Sequence, residues 1–350
     1  MTSESIWIDL SAFAALMGML AYALFGGADF GGGVWDLLAT GPRQREQRLA
    51  IQRAMGPVWE ANHVWLILVI VVLFTCFPRG YSALGIALFM PFHLALLGIM
   101  LRGASFVFRH YRSRNKESAA ETSAWGIVFG VASTITPLFL GAAFGVVTEG
   151  RILLDEQGDV LLNTTLPWLS PYCVINGCLA LVTCAYLAAV YLTNETEGAL
   201  RDDFRLRAIG AGTATAILAS ISFWLSFHEA RWFFDRLVSG STLVVVVAGL
   251  VCFAGSAFAV FGRRYALSRA FAIGEVTLIL LGWGLAQHPY LVYPDISLAS
   301  AAAPEPTLRF VVLSLPWGAL LLGPSLWFLL KVFKGEPDDA SQAGVQTVAE

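Results

Sequence analysis

Three acids stand inside otherwise apolar stretches of this sequence: Asp29, Glu60 and Glu275. An ionised group at mid-membrane depth costs about 2.5–3.5 kcal/mol on insertion scales, so an acid there is expected to carry function. The chemistry it offers is proton uptake and release, or the holding of a cation. Around Asp29 the chain reads Gly26-Gly27-Ala28-Asp29-Phe30-Gly31-Gly32-Gly33, five glycines in eight residues. Such a stretch permits close backbone approach or a break in a helix. It reads as a packing face toward a partner. Glu60 lies in Trp59-Glu60-Ala61-Asn62-His63-Val64-Trp65. On a helix Glu60 and His63 share a face, and so do Trp59 and His63. Carboxylate, amide and imidazole together suit a short hydrogen-bonded proton relay. Plainer readings stand beside these. Acids near helix ends reach headgroup water, a helix N-terminus favours an anion at Glu60, and a polar patch also packs one helix against another.

Other residues of suitable type are less organised. His93 follows Pro91 and has no second ligand three or four residues on, so metal or haem ligation by it is weakly supported. Cys76, Cys173, Cys178, Cys184 and Cys252 form no Cys-x-x-Cys and lie in or beside apolar runs. They read as small packing residues rather than a metal site or a disulfide framework. No phosphate-binding glycine loop and no Ser/His/Asp arrangement is recognisable. A catalytic site built by this chain alone is therefore not expected.

The elements that must position these residues follow from composition. Of 350 residues 57% are hydrophobic and 13% charged, and the mean hydropathy is +0.68. A soluble chain of this size could not cover its surface with so few charges, so its solvent must be lipid. The net charge of −3 and the absence of a basic block exclude nucleic acid as a partner. Nine stretches are long enough to span: 8–30, 58–77, 82–101, 124–147, 171–192, 209–227, 241–261, 270–286 and 308–332. Pro91, Pro137, Pro316 and Pro324 fall inside them, which neighbouring helices can accommodate. Met1 to Ile6 carries no Lys or Arg, so the first stretch reads as a retained span and not a cleaved signal. Of the 22 Lys and Arg residues, only Arg79, Arg151, Arg231, Arg236 and Arg309 fall on one side of this alternation. The other seventeen share the opposite side, which the positive-inside rule makes cytoplasmic. The N-terminus is then periplasmic and the C-terminus cytoplasmic. Residues 335–350 are polar and read as a flexible cytoplasmic tail after a single membrane domain over 1–334.

Several blocks together resemble subunit II of the cytochrome bd-type quinol oxidases, including their cyanide-insensitive branch. They are Gly27-Ala28-Asp29-Phe30-Gly31-Gly32-Gly33, Gly56-Pro57-Val58-Trp59-Glu60-Ala61-Asn62-His63-Val64-Trp65-Leu66-Ile67, and Phe77-Pro78 with Tyr81. Weaker ones are Leu101-Arg102-Gly103 with Phe106 to Arg109, Gly141-Ala142-Ala143-Phe144-Gly145, Ser170-Pro171-Tyr172, and Ala286-Gln287-His288-Pro289-Tyr290 with Pro294. The resemblance implies an all-α integral membrane protein of about nine transmembrane helices, arranged as two four-helix bundles plus one peripheral helix. It implies the non-haem subunit of a complex in the bacterial plasma membrane that oxidises quinol and reduces oxygen to water. Subunit I, the partner, would hold two b-type haems, one d-type haem and the quinol site. This chain would bind no cofactor firmly, apart from a structural quinone known in some members, and a small accessory subunit is left open. Asp29 and Trp59-Glu60 match the family's cytoplasmic proton-path positions, with His63 joined to them by spacing. Glu60 is Asp and His63 is Gln in some members. Glu275, at similar depth by the span count, matches no family motif and neither does His93. The competing reading is a proton- or cation-coupled secondary transporter, although the glycine-rich acid of the first span has no clear counterpart in the second half.

Overall fold

An apolar run that leaves water can satisfy its amides only by turning them on itself as a helix. The computed structural model follows that rule throughout the residues it describes, 3–55, 59–114, 119–162 and 166–334. In chain order the helices are α1 (Ser3–Leu37), α2 (Gln44–Met55), α3 (Trp59–Cys76), α4 (Pro78–Ala87), α5 (Phe89–Arg114), α6 (Ala119–Glu149), α7 (Pro171–Glu195) and α8 (Gly198–Glu229). Then come α9 (Arg231–Leu237), α10 (Gly240–Phe261), α11 (Tyr265–Gln287), α12 (Leu298–Ala301) and α13 (Glu305–Lys334). Among the described residues eight helices are long and apolar enough to cross a membrane. A ninth crossing exists if α3 and α4, which meet at 119°, are taken as one.

The stretch 82–101 is not one helix as expected. Pro78 opens α4, and α5 begins at Phe89 with Pro91 in its first turn. A first-turn proline needs no donor and cannot extend a preceding helix, so each proline starts a segment. The apolar segment that follows therefore runs from Phe89 to Arg109. It carries Arg102 in its interior, where the charge count had set that residue in a cytoplasmic connection. Removing Arg102 from that count leaves the charge asymmetry standing.

Helix α1 packs against α3, α6, α7, α11 and α13, and α7, α8, α10 and α11 contact one another in a ring. Small residues make the closest approaches. The glycines around Asp29 do not break α1, which is helical through all of them. A Cβ on Gly31 would land on the Cys184 carbonyl of α7, and one on Gly33 would land on Ser133 of α6. The glycine face expected to meet a partner is thus used inside the subunit.

Two connections read as plain loops carry short hairpins. Strands β1 (Ile152–Leu154) and β2 (Val160–Leu162) pair antiparallel, as do β3 (Tyr290–Val292) and β4 (Ile296–Ser297). The hairpins touch through a bridge between Ile152 and Pro294, and their apolar residues join Phe77, Val146 and Cys173 in one core. This end of the molecule is therefore a packed cap.

Candidate functional site

Asp29 is 8% exposed, two turns before the end of α1. The longer α1 sets it deeper than the expected span did. Asn62 of α3 donates an amide hydrogen to Asp29 Oδ2. On the other side stands Arg102 of α5, 2% exposed, which interacts electrostatically with both Asp29 and Tyr22. The Arg102 guanidinium also lies over two aromatic faces, 5.0 Å from the Phe30 ring centre and 5.3 Å from that of Phe129 on α6. Its charge is balanced by one carboxylate and two ring quadrupoles. His63 packs edge-on against Tyr22 at 6.3 Å, and Tyr22 against Phe30 at 6.2 Å. Four helices thus contribute to one buried polar cluster. Of the expected site residues it unites Asp29 and His63. Trp59 and Glu60 stand in the first turn of α3, one turn before Asn62 and His63, and their side chains lie outside the described residues.

Seven residues along each helix the pattern repeats. Asp36 of α1 takes a two-pronged salt bridge from Arg109 of α5, at 2.7 and 3.1 Å. The Arg109 guanidinium lies 6.0 Å from the Phe129 ring centre, and the Gln52 amide oxygen accepts from it as well. Seven residues make two helical turns, so the acids share one face of α1 and the arginines one face of α5. Sequence reading counted Arg102 and Arg109 among the charges of a cytoplasmic connection and did not single out Asp36. The signal that could have found them is the matched spacing, Asp29/Asp36 against Arg102/Arg109.

Glu275 is not part of this cluster. It lies ten residues into the 23-residue α11, at 2% exposure, near mid-helix and not at the end of the helix. Ala272 and Val276 beside it join Tyr186 in a core to which α1, α7, α8, α10 and α11 contribute. A further acid that sequence reading missed is Glu149, at the end of α6. Arg151 lies 3.0 Å from Glu149 and 3.5 Å from Glu229, and the Cys173 thiol donates to Glu149 at 3.5 Å.

The histidines whose side chains are described do not form a facing pair that could clamp a haem. His63 packs on Tyr22, and His93 turns Nδ1 to the Phe89 carbonyl at 2.7 Å on an exposed face. His228 lies against Trp224 and Phe227, and His288 lies 3.7 Å from Asp9. Among the described residues no cluster of three His, Cys, Asp or Glu side chains is arranged to hold a metal.

This architecture has close counterparts. The structure of bd oxidase from Geobacillus thermodenitrificans superposes with a TM-score of 0.77 at 21% identity, over 95% of this chain and 99% of that one. A Bacillus subtilis (strain 168) protein provisionally named cytochrome bd menaquinol oxidase subunit II is 24% identical over 89% of this chain and 91% of its own length. Cytochrome bd ubiquinol oxidase subunit 2 of the same strain is 25% identical over 86% and 88%. Cytochrome bd-I ubiquinol oxidase subunit 2 of Escherichia coli (strain K12) is 27% identical over 64% and 57%. The sequence profile of the family described as cytochrome bd terminal oxidase subunit II matches residues 6–333. The chain, with its acid and arginine pairs buried between α1 and α5, belongs to that family.

Proposed function

We propose that this chain supports the haem-bearing partner of a two-subunit quinol oxidase and lines a route by which protons reach the oxygen-reducing site. Membership of the family makes it a subunit of a bd-type quinol oxidase, an oxidoreductase complex of the membrane. Nothing in the comparisons favours a transporter. Haems, when bound, supply electron transfer and oxygen reduction. In this reading, as the family resemblance implies, subunit I holds the haems b and d and the quinol site, and among the histidines whose side chains are described none faces another as a haem-clamping pair.

The observation that carries the proton route is Asp29, a carboxylate buried at 8% exposure and held by Asn62 beside Arg102. Reduction of one oxygen molecule to water consumes four electrons and four protons. Drawing those protons from the cytoplasm while quinol protons leave on the other side builds a membrane potential. A route through low-dielectric helices needs groups that both take and pass protons. In this reading Glu60, in the first turn of α3, takes protons from the cytoplasmic side. Trp59 belongs to the same entry by its place in the sequence, and Asp29 and His63 continue the route toward the partner. Arg102 stays charged and fixes Asp29 in place.

The test is oxygen uptake by purified complex at matched haem content. Glu60→Gln and Asp29→Asn keep shape but cannot exchange a proton. Each is expected to slow quinol-supported turnover by about 10²-fold, the scale of one positioned proton-transfer group. Glu60→Asp should retain most activity. Full turnover in Glu60→Gln and Asp29→Asn, with an undiminished membrane potential in proteoliposomes, would remove both from the route.

A further inference from the structure

Outside the Asp29 cluster one deeply buried acid has no structural task. Glu275 is 2% exposed, and its Oε2 has no hydrogen-bond partner among the described residues. No charged side chain among those residues acts on it. A structural carboxylate would have a counter-ion or a set of donors, and this one has neither. At such a site an anion is costly, whereas a neutral carboxyl forgoes little more than a hydrogen bond.

Beside it runs a string of hydroxyls. Tyr186 of α7, in one core with Ala272 and Val276 of α11, donates its hydroxyl hydrogen to Ser256 Oγ of α10 at 2.5 Å. Ser256 Oγ lies 3.1 Å from Ser268 Oγ of α11. All three are buried, at 2%, 0% and 0% exposure. Ser268 stands in the first turn of α11, next to Arg269, which reaches solvent and pairs with Glu195 at 3.7 Å. Glu275 is seven residues further on, about 10 Å deeper on the same face. A hydroxyl both donates and accepts, so the string can pass a proton from the rim of α11 inward.

On α7 the string and the Asp29 cluster lie on different faces. Cys184 lies against Gly27 and Gly31 of α1, whereas Tyr186, about 200° round the helix, faces Ser256 of α10.

We propose that Glu275 is a second proton-carrying site of this subunit, loaded from the rim of α11 through Ser268, Ser256 and Tyr186 and not through Asp29. The step is a proton exchange alone. Glu275 accepts a proton on Oε2 and releases it along the same string, with no change of oxidation state. The proposal extends the proton-route reading to a second entry, yet its evidence is independent of Asp29.

The experiment is infrared difference spectroscopy on the intact complex, in water and after transfer to D2O. Glu275→Gln is expected to abolish a protonated-carboxyl band that Asp29→Asn retains. Ser256→Ala, a small change that serves also if Glu275→Gln does not assemble, should keep the band. Its hydrogen–deuterium exchange should slow about tenfold or more, the low end for one removed proton-transfer group. Retention of every carboxyl band in Glu275→Gln would make Glu275 a fixed anion and overturn the proposal. Exchange at the wild-type rate in Ser256→Ala would overturn the string as the route. Full oxygen uptake in Asp29→Asn would sink the Asp29 route while leaving the Glu275 result to stand or fall by these bands.

Discussion

A guanidinium shielded from water is destabilising unless a carboxylate or an aromatic face meets it. Arg102, at 2% exposure, has Asp29 nearby and the Phe30 and Phe129 rings against it. Removing one partner of such a pair leaves the other charge uncompensated, at about 3–5 kcal/mol. Arg102→Met should therefore lower the melting temperature of the purified complex and its yield in membranes. Arg102→Met combined with Asp29→Asn should recover part of that loss. A double variant no better than the single would show that Arg102 acts independently of Asp29. At this scale the sequence disclosed acids more readily than their partners. Asp29 and Glu275 stood out because carboxylates among apolar residues violate composition. Arg102 and Arg109 did not, because arginines after an apolar run look like the ordinary cytoplasmic flank of a span. Only the three-dimensional packing of α5 on α6, which also meets α1, turns Arg102 inward.

Helix α1 owes its central position to side chains it lacks. A Cβ on Gly31 would overlap the Cys184 carbonyl, a backbone atom that cannot swing aside. Overpacking of this kind costs about 1–3 kcal/mol and can displace the whole helix. Gly31→Ala should thus lower the melting temperature of this subunit expressed alone as well as the yield of the complex. A loss confined to the complex would return Gly31 to the partner interface. The glycine-rich stretch was legible as a close-packing face, but the helix it meets was not, since small residues fit any neighbour equally well. The break at Leu88 was hidden for a different reason. The apolar stretch 82–101 runs across it, and only Pro91 in the first turn of α5 marks where one helix stops and another starts. The β1–β2 and β3–β4 hairpins were invisible because two- and three-residue strands are stabilised by packing on each other, through Ile152 and Pro294, more than by their own pattern.

For the whole molecule we propose the orientation that the charge asymmetry implies, with the N-terminus periplasmic and the C-terminus cytoplasmic. Reporter fusions after Lys334 are expected to report the cytoplasm, and fusions in 287–307 the periplasm. The same side for both would break the nine-crossing alternation. That experiment reads the finished protein, but the facing pairs on α1 and α5 also constrain how the protein is made. Asp29 and Asp36 emerge from the ribosome long before Arg102 and Arg109. At roughly 5–20 residues per second, the intervening chain takes several seconds to synthesise. During that interval α1 presents two acids and an uncovered glycine face, with α5, α6 and α7 still to come. Lipid solvates neither well. The first helix must therefore be sheltered by the insertion machinery until its partners arrive. Translation stalled between α1 and α5 leaves a fragment that the membrane's quality control can recognise by its unmatched charge.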